Sequence, residues 1–596
     1  MNHTFHIPVL GLGYSIDTPL KVARYGISSV VSIVDDELIE RMRQYICDVH
    51  KEPYQTILKS EPDARARRIT AYLNLIDKIV KEQISAMKLQ KFESGTELSK
   101  YFYLLPEHNE LKSKWRLMLT LAPGYEREHL EEQLKEGIEP GKIDVNIMSK
   151  VDKANYVNGR YLGDDHTDAQ AALRGFAISN LCSSVVISAG LNPRLFTYLE
   201  HFSDFQQHAD GISDKKITLK VSDYRSALIQ AKVLAKKGLW VSEFRIESGL
   251  NCGGHAFATD GHLIGPILQE FKDNRIAMRT ALFEMYSKAI HDKDGIIPTA
   301  IPTQIITIQG GIGTAEEHCF LLNYYELDAA GWGSPFLLVP EATNVDQTTL
   351  HDLENATVDD YYISNASPLG VPFNNFRKSS GELKRQQRID NGKPGSPCTK
   401  KYLCTNTEFS TKPICTASRK YQHLKIKQLQ SANLDPAVLE SQIEMVTEKV
   451  CLCVGLCTSA YKKYDLLIPK ENTAVSICPG PNLAYFDRQY TLQQMVDHIY
   501  GRADVLAGKD RPNLFIKELG LYITYLKKEV DNLKIEFTEK KVKYINKFQA
   551  QLQHGIDYYK TVMVEIDPKL SLWNGEQVKK FQDLVDQFSQ RFQTQV

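Results

Sequence analysis

The feature that most constrains this chain is a series of short apolar and β-branched runs that recur through its first 340 residues. They are Ile7–Leu10, Ser29–Val34, Ile143–Met148, Ser184–Ser188, Ile217–Val221, Leu239–Phe244 and Ile305–Ile308. Several are almost continuously apolar, the pattern of strands buried on both faces of a parallel sheet. Segments of helical spacing separate many of them, such as Tyr224–Lys236, stopped by Gly238, and Glu316–Tyr325. Strand–helix alternation of this kind predicts an α/β fold.

Two stretches break the alternation. Residues 36–140 are charged and helical in pattern, for example Ile69–Met87, and read as a helical insertion between the first strand units. The second begins near Val345 and ends in the Gly/Pro/Lys-rich segment Ser379–Pro397, which reads as a linker or exposed loop. This divides the chain into residues 1–378, a linker and Cys-rich segment at 379–500, and a helical C-terminal region at 501–596. In the last, Leu519, Ile523, Leu526, Val530, Leu533 and Phe537 lie three or four apart. That spacing fits a packed helical hairpin or the seam of a coiled-coil homodimer, and does not separate the two.

Composition narrows the function. The 596 residues carry 72 Lys plus Arg against 73 Asp plus Glu, so there is no basic excess of the kind that tracks nucleic-acid phosphates. No apolar stretch approaches the roughly 18 residues of a membrane span, and the N-terminus lacks the pattern of a signal peptide. A cytoplasmic location is expected, with no nucleic-acid or membrane partner and with the eleven cysteines as thiols or metal ligands.

The strongest local signal is IITIQGGIGTAEE, where a strand runs into Gly310, Gly311 and Gly313 and then into a helix. Glycines there let backbone amides approach an anion, and the helix N-terminus adds a favourable dipole. About 15 residues later LDAAGWGSPFLLVP repeats the arrangement with Gly331, Gly333 and Ser334. Two consecutive glycine-rich turns of this type form the phosphate site after strands seven and eight of an α/β barrel. A dinucleotide fold would place one G-x-G-x-x-G after its first strand, and the N-terminal GLGYSI does not complete it. The fold expected is therefore a (β/α)8 TIM barrel. In ESGLNCGGH, Gly253, Gly254 and His255 follow a strand at the end where barrel active sites lie. His255 can act there as acid, base or hydrogen-bond donor near neutral pH.

Five motifs in order resemble the FMN-dependent barrel enzymes related to nitronate monooxygenase (2-nitropropane dioxygenase) and flavin-dependent enoyl-[acyl carrier protein] reductase. They are the opening IPVLGLGY, the strand VNIM, the loop ESGLNCGGH, the Gly310-Gly311-Ile312 turn and the Gly333-Ser334-Pro335-Phe336 turn. The resemblance covers roughly residues 5–35 and 140–375. It implies that Gly310, Gly311, Gly313, Gly333 and Ser334 hold the FMN phosphate, and that Asn146 and the backbone around Gly13 contact the isoalloxazine ring. It also implies that Lys220 reaches the flavin or its ribityl chain, and that His255 is catalytic. Three residues, Leu250–Cys252, are inserted before Gly-Gly-His, and Ser334 stands where threonine is usual. The helical insertion is absent from the short monooxygenases and would cover the mouth or dock a carrier protein.

Seven of the eleven cysteines fall between Cys398 and Cys478. Cys398, Cys404 and Cys415 are spaced x5 and x10, and Cys451, Cys453 and Cys457 lie in CLCVGLC. None forms a C-x2-C pair of the zinc-ribbon type or a ferredoxin run. The first pair resembles the C-x5-C opening of the iron–sulfur loop of glutamate synthase, where the third cysteine comes sooner. An iron–sulfur cluster, zinc, and plain buried thiols all stay open for these six.

These readings lead with an FMN-dependent oxidoreductase of nitronate monooxygenase type, acting on a nitronate or an unsaturated acyl-type substrate. An enoyl reductase of fatty-acid or polyketide assembly stands beside it, with an acyl-thioester substrate and an acyl carrier protein or electron donor as partner. A barrel that binds a phosphorylated ligand without redox chemistry fits the turns equally, because they report phosphate and not flavin.

Overall fold

Eight parallel strands close into a barrel in this computed structural model, which describes residues 2–148, 151–157, 159–188, 190–252, 261–535, 538–565 and 572–592. In chain order they are β1 (Phe5–Ile7), β2 (Ser28–Ser32), β3 (Ile143–Ile147), β4 (Ser184–Ile187), β5 (Lys216–Val221), β6 (Val241–Glu247), β7 (Ile305–Gln309) and β8 (Ala329–Gly331). Each strand pairs with its sequence neighbours, and β1 pairs with β8 to close the ring. This is the (β/α)8 barrel that the alternation predicts.

Two strands sit away from their expected positions. β1 ends at Ile7, so Val9 and Leu10 are buried in the loop beyond it. β6 runs three residues past Phe244, which places Glu247 on the strand itself.

The strands are less uniformly apolar than their runs suggest. Ile143, Val145 and Ile147 of β3 are buried in the main apolar core, while Asp144 between them meets a polar partner across the ring. Arg245 donates to Glu243 at 2.7 Å and to Asp144 at 3.0 Å, and Thr307 donates to Glu243 at 2.6 Å. Burial alone would push the Glu243 carboxyl up, but the Arg245 guanidinium overrides it and holds it low. A buried charge is tolerable only when paired in this way.

The segment 36–140 is only partly an insertion. Helices Asp36–His50 and Ala64–Lys88 send Leu38, Ile39, Met42, Tyr72, Ile76 and Ile79 into the main core, and so serve as barrel helices. A smaller core, with Leu98, Phe102, Met118 and Leu134, gathers the helices that follow. Most of Ser379–Pro397 is helix and not linker or loop. Ser379 caps helix Ser380–Asp390 by accepting from the Glu382 amide, an S-x-x-E signal at a helix start.

At the C-terminus, helices Leu514–Ile535, Glu539–Glu565 and Gly575–Phe592 pack together and on the barrel. Leu519, Ile523 and Leu526 are fully buried in that packing. The apolar seam is used within the chain, as a helical hairpin requires; Phe537 lies outside the described residues. Among the described residues no helix is long and apolar enough to cross a membrane.

Candidate active site at the barrel mouth

The strands deliver their C-terminal residues to one end of the barrel. Ser32 of β2 and Asn146 of β3 are register partners there. Ser32 is buried and Asn146 half-buried, and neither the Ser32 hydroxyl nor Asn146 Oδ1, both inaccessible, has a hydrogen-bond partner among the described residues. A buried oxygen left alone costs about 1–3 kcal/mol, so the pair marks a place where a polar ligand would be stabilising. On the other side Lys220 of β5 donates to Glu247 at 3.1 Å. Glu247 also accepts from Asn251 and from Gln309, each at 2.8 Å. Asn251 is fixed in turn by Asn374, which donates to its carbonyl at 2.9 Å.

The two glycine turns stand side by side, as β7 and β8 are paired. Gly310 and Gly311 take φ of +108° and +86°, the left-handed region that favours glycine. The amides of Gly311, Ile312, Gly333 and Ser334 meet no acceptor among the described residues, and all four residues line one notch with Leu250, Cys252 and Asn482. Its free space is about 10 Å³, room for one water. Leu250 closes it from above: a Cβ on Gly311 would lie 2.5 Å from Leu250 Cδ1. Cys252 stands over Gly333 in the same manner, at 3.2 Å. The donor set thus fits an FMN phosphate, and the two orphaned oxygens fit the polar edge of a flavin ring. The notch as it stands is too small for a whole phosphate, which would have to displace Leu250 and Cys252.

Other expectations are corrected. Gly13 does not offer its backbone to a ring. Its amide donates to Leu456 O at 3.0 Å, and helix Leu452–Lys463 packs directly on it. The cover over this side of the mouth therefore comes from the Cys-rich segment and not from the helical insertion. Gly313 contributes no free amide, since it donates to Glu317 at 2.7 Å. The helix dipole expected to help an anion is already occupied: Thr314 and Glu317 form a capping box on helix Ala315–Tyr324. Ser334 accepts from the Gly480 amide at 2.8 Å, which leaves its proton to donate. His255, with Gly253 and Gly254, lies outside the described residues.

The six proposed metal ligands do not form one site. Cys398 and Cys404 meet at 3.8 Å, with Cys415 and Cys453 in the same small core. Cys451 shares that core, whereas Cys457 donates to Asp35 at 3.2 Å. Among the described residues no three His, Cys, Asp or Glu side chains are arranged to hold a metal ion. The iron–sulfur and zinc expectations find no support.

Three side chains that sequence reading missed brace the mouth. Arg511 is buried and donates to both Glu317 oxygens at 2.7 and 3.0 Å, to Gly311 O at 2.8 Å and to Asn482 at 2.7 Å. Glu518 accepts from the Gly249 amide at 3.0 Å and the Ile264 amide at 2.7 Å, the two ends of the stretch whose sequence includes His255. Burial pushes its carboxyl up to about 7, against the pull of those two amides. Tyr559 accepts from the Gly265 amide at 3.1 Å. None of the three carried a sequence signal, whereas Glu317, the partner of Arg511, did, in the T-x-x-E box of GTAEE.

No protein-family model matches this sequence, and no curated protein matches it. Solved structures give three similar chains. FabK from Thermotoga maritima is 12% identical over 64% of this chain and 83% of its own, with a TM-score of 0.29. The enoyl reductase domain of MlnA, from the macrolactin biosynthesis cluster of Bacillus amyloliquefaciens, is 14% identical over 76% and 95%, with a TM-score of 0.32. Nitroalkane oxidase from Streptomyces ansochromogenes is 10% identical over 84% and 95%, with a TM-score of 0.33. The barrel rests on its own strand pairing, and the chemistry on the residues at its mouth.

Proposed function

We propose that this protein is an FMN-dependent oxidoreductase of the nitronate monooxygenase type, acting on a nitronate or an unsaturated acyl substrate. The observation that carries the reading is the set of four amides, from Gly311, Ile312, Gly333 and Ser334, that meet no acceptor among the described residues, on adjacent turns at the ends of β7 and β8. Backbone donors from these two turns are how an α/β barrel holds a phosphate, and the orphaned Ser32 and Asn146 oxygens extend the polar surface toward a ring.

FMN, when bound, supplies the two-electron chemistry. The chain's own part is to bind, orient and move protons. The two turns hold the phosphate. Asn146 and Ser32 meet the ring edge. Lys220, steadied by Glu247, sets a positive charge at the mouth, where developing negative charge is stabilised. His255 holds the proton that the substrate takes or gives near neutral pH.

The test is an absorption spectrum of protein purified without air, followed by mass analysis of the released cofactor. A flavin spectrum with FMN released is the expected result. A colourless protein that FMN cannot reconstitute would overturn the proposal. Phosphate binding at the same turns in such a protein would support the non-redox barrel.

A further inference from the structure

The Cys-rich segment holds thiols that the flavin site does not use. Cys398 and Cys404 are both partly exposed, and their sulfurs stand 3.8 Å apart. Cys415 lies within hydrogen-bonding reach of Cys398 from the buried side. Hydrogen bonds from Cys404 and then from Cys415 hold the Cys398 thiol well below its ordinary range, and the Lys401 amide helps. Its bond to Cys398, and then burial, push Cys404 up. Two partly exposed cysteines with their sulfurs in contact are the arrangement that undergoes reversible oxidation. A cavity of about 470 Å³ is lined by Pro397 and Thr399, the neighbours of Cys398, by Arg388 and Lys470, and by Glu37 and Glu471, whose charges are both paired with Arg41. Arg388 donates to Ser396 at 2.7 Å, and among the described residues neither Arg388 nor Lys470 has a carboxylate partner. The cavity beside the thiol pair thus offers two uncommitted cations to a small anionic disulfide.

We propose that Cys398 and Cys404 are a thiol–disulfide redox site, with Cys398 attacking and Cys404 resolving. The oxidant is a small disulfide of the glutathione class. The Cys398 thiolate attacks one sulfur of the glutathione disulfide, which expels one glutathione thiolate and leaves a mixed disulfide on Cys398. Cys404 gives its proton to solvent and attacks the Cys398 sulfur, which expels the second glutathione. Two protein thiols become one disulfide, and one glutathione disulfide becomes two thiols.

The bridge has a route to the barrel. It would close the loop 398–404, and that loop carries Lys400 and Tyr402. Lys400 pairs with Asp35 and donates to Tyr461 at 3.2 Å. Tyr402 donates to Asp35 at 3.3 Å and to Asp36 at 3.2 Å. Asp35 follows β2 and caps helix Asp36–His50, so the loop's conformation reaches the mouth beside Ser32.

The experiment uses the full-length protein, equilibrated in glutathione buffers of graded ratio, quenched in acid, alkylated and mapped by tandem mass spectrometry. Lys400 and Lys401 put Cys398 and Cys404 in different tryptic peptides, and the second peptide also holds Cys415. The expected result is the loss of two of the eleven alkylatable thiols at oxidising ratios, a Cys398–Cys404 link, and full recovery with reduced glutathione. Cys404→Ser should abolish the link, and Cys415→Ser should retain it. Two outcomes would overturn the proposal. One is full alkylation of Cys398 and Cys404 in the wild-type protein at every ratio. The other is a stoichiometric metal that shields these thiols until a chelator removes it.

Discussion

Arg511→Met removes one side chain that braces the phosphate turn from nearly 200 residues away. The guanidinium makes four hydrogen bonds of 2.7–3.0 Å, two of them to Glu317. Charge-assisted hydrogen bonds contribute about 1.5–3 kcal/mol each, but burying the cation offsets most of that sum. What decides the outcome is the partner left behind. Glu317 is 1% exposed, and methionine leaves its carboxylate with amide donors only, from Gly313, Thr314 and Leu514. Breaking a buried pair in this way costs about 3–5 kcal/mol. Urea unfolding followed by tryptophan fluorescence reads that loss, since Trp240, Trp332 and Trp573 are all buried. Gly311 O and Asn482 lose their anchor as well, so FMN affinity should fall by about tenfold or more, about 1.4 kcal/mol per factor of ten. Adding Glu317→Gln should recover part of the stability, because the lone charge is gone, with a coupling of about 1–3 kcal/mol. A single variant within about 1 kcal/mol of wild type, with FMN binding unchanged, would refute the reasoning.

Glu518→Gln tests the brace at Gly249 and Ile264 through its pH dependence. A carboxyl raised to about 7 from about 4.5 favours the folded state fully below pH ~4.5, and that contribution fades as pH rises to ~7, by about 3 kcal/mol in all. The variant should lose this slope in urea midpoints measured from pH 5 to 8; an unchanged slope would count against it. His3, His6 and His318 run the other way, because burial lowers them to about 4, 3 and 4. Their contribution is present above pH ~6.5 and lost on acidification, so three groups outweigh one and wild-type stability should fall from pH 6.5 to 4.5. Asn146→Leu should weaken FMN binding while changing stability by less than about 1 kcal/mol, because Oδ1 has no partner to lose; equal losses in both would argue against a ligand contact. Gly311→Ala meets a positive φ and Leu250 Cδ1 at 2.5 Å, so it should cost about 1–3 kcal/mol and abolish FMN reconstitution, both readable in one thermal melt with and without FMN.

The barrel was legible because its signals are local. Each strand announces itself within five or six residues, and each glycine turn follows its own strand, so Gly311 and Gly333 could be put on neighbouring loops without knowing any long-range contact. The errors fell where local signals compete. The run Leu239–Phe244 stops at its last apolar residue, yet β6 continues through Arg245 and Glu247 because Asp144 and Lys220 satisfy those charges across the ring. Ser379–Pro397 has loop composition, and its capping residue outweighed that.

The site itself was half legible, and the missing half has one physical cause. The amides of the two turns and Asn146 belong to strand ends, but the surroundings of this end of the barrel come from chain 146–443 residues distant. Leu456 covers Gly13, Gly480 donates to Ser334, and Asn482 donates to Ile312. Arg511 and Glu518 are, in sequence, two charges at the start of the C-terminal helical region, one just before helix Leu514–Ile535 and one in its first turns. Only folding brings one to the β7 turn and the other to both ends of the β6 loop, within eight residues of each other on the chain. The C-terminal helices and the cap are therefore part of the site's construction and not appendages to a finished barrel. A turn that presents open amides to an anion repels its own dipoles when empty, and Arg511, Glu317 and Asn482 fix its backbone from behind, so the empty turn keeps the shape that binding requires.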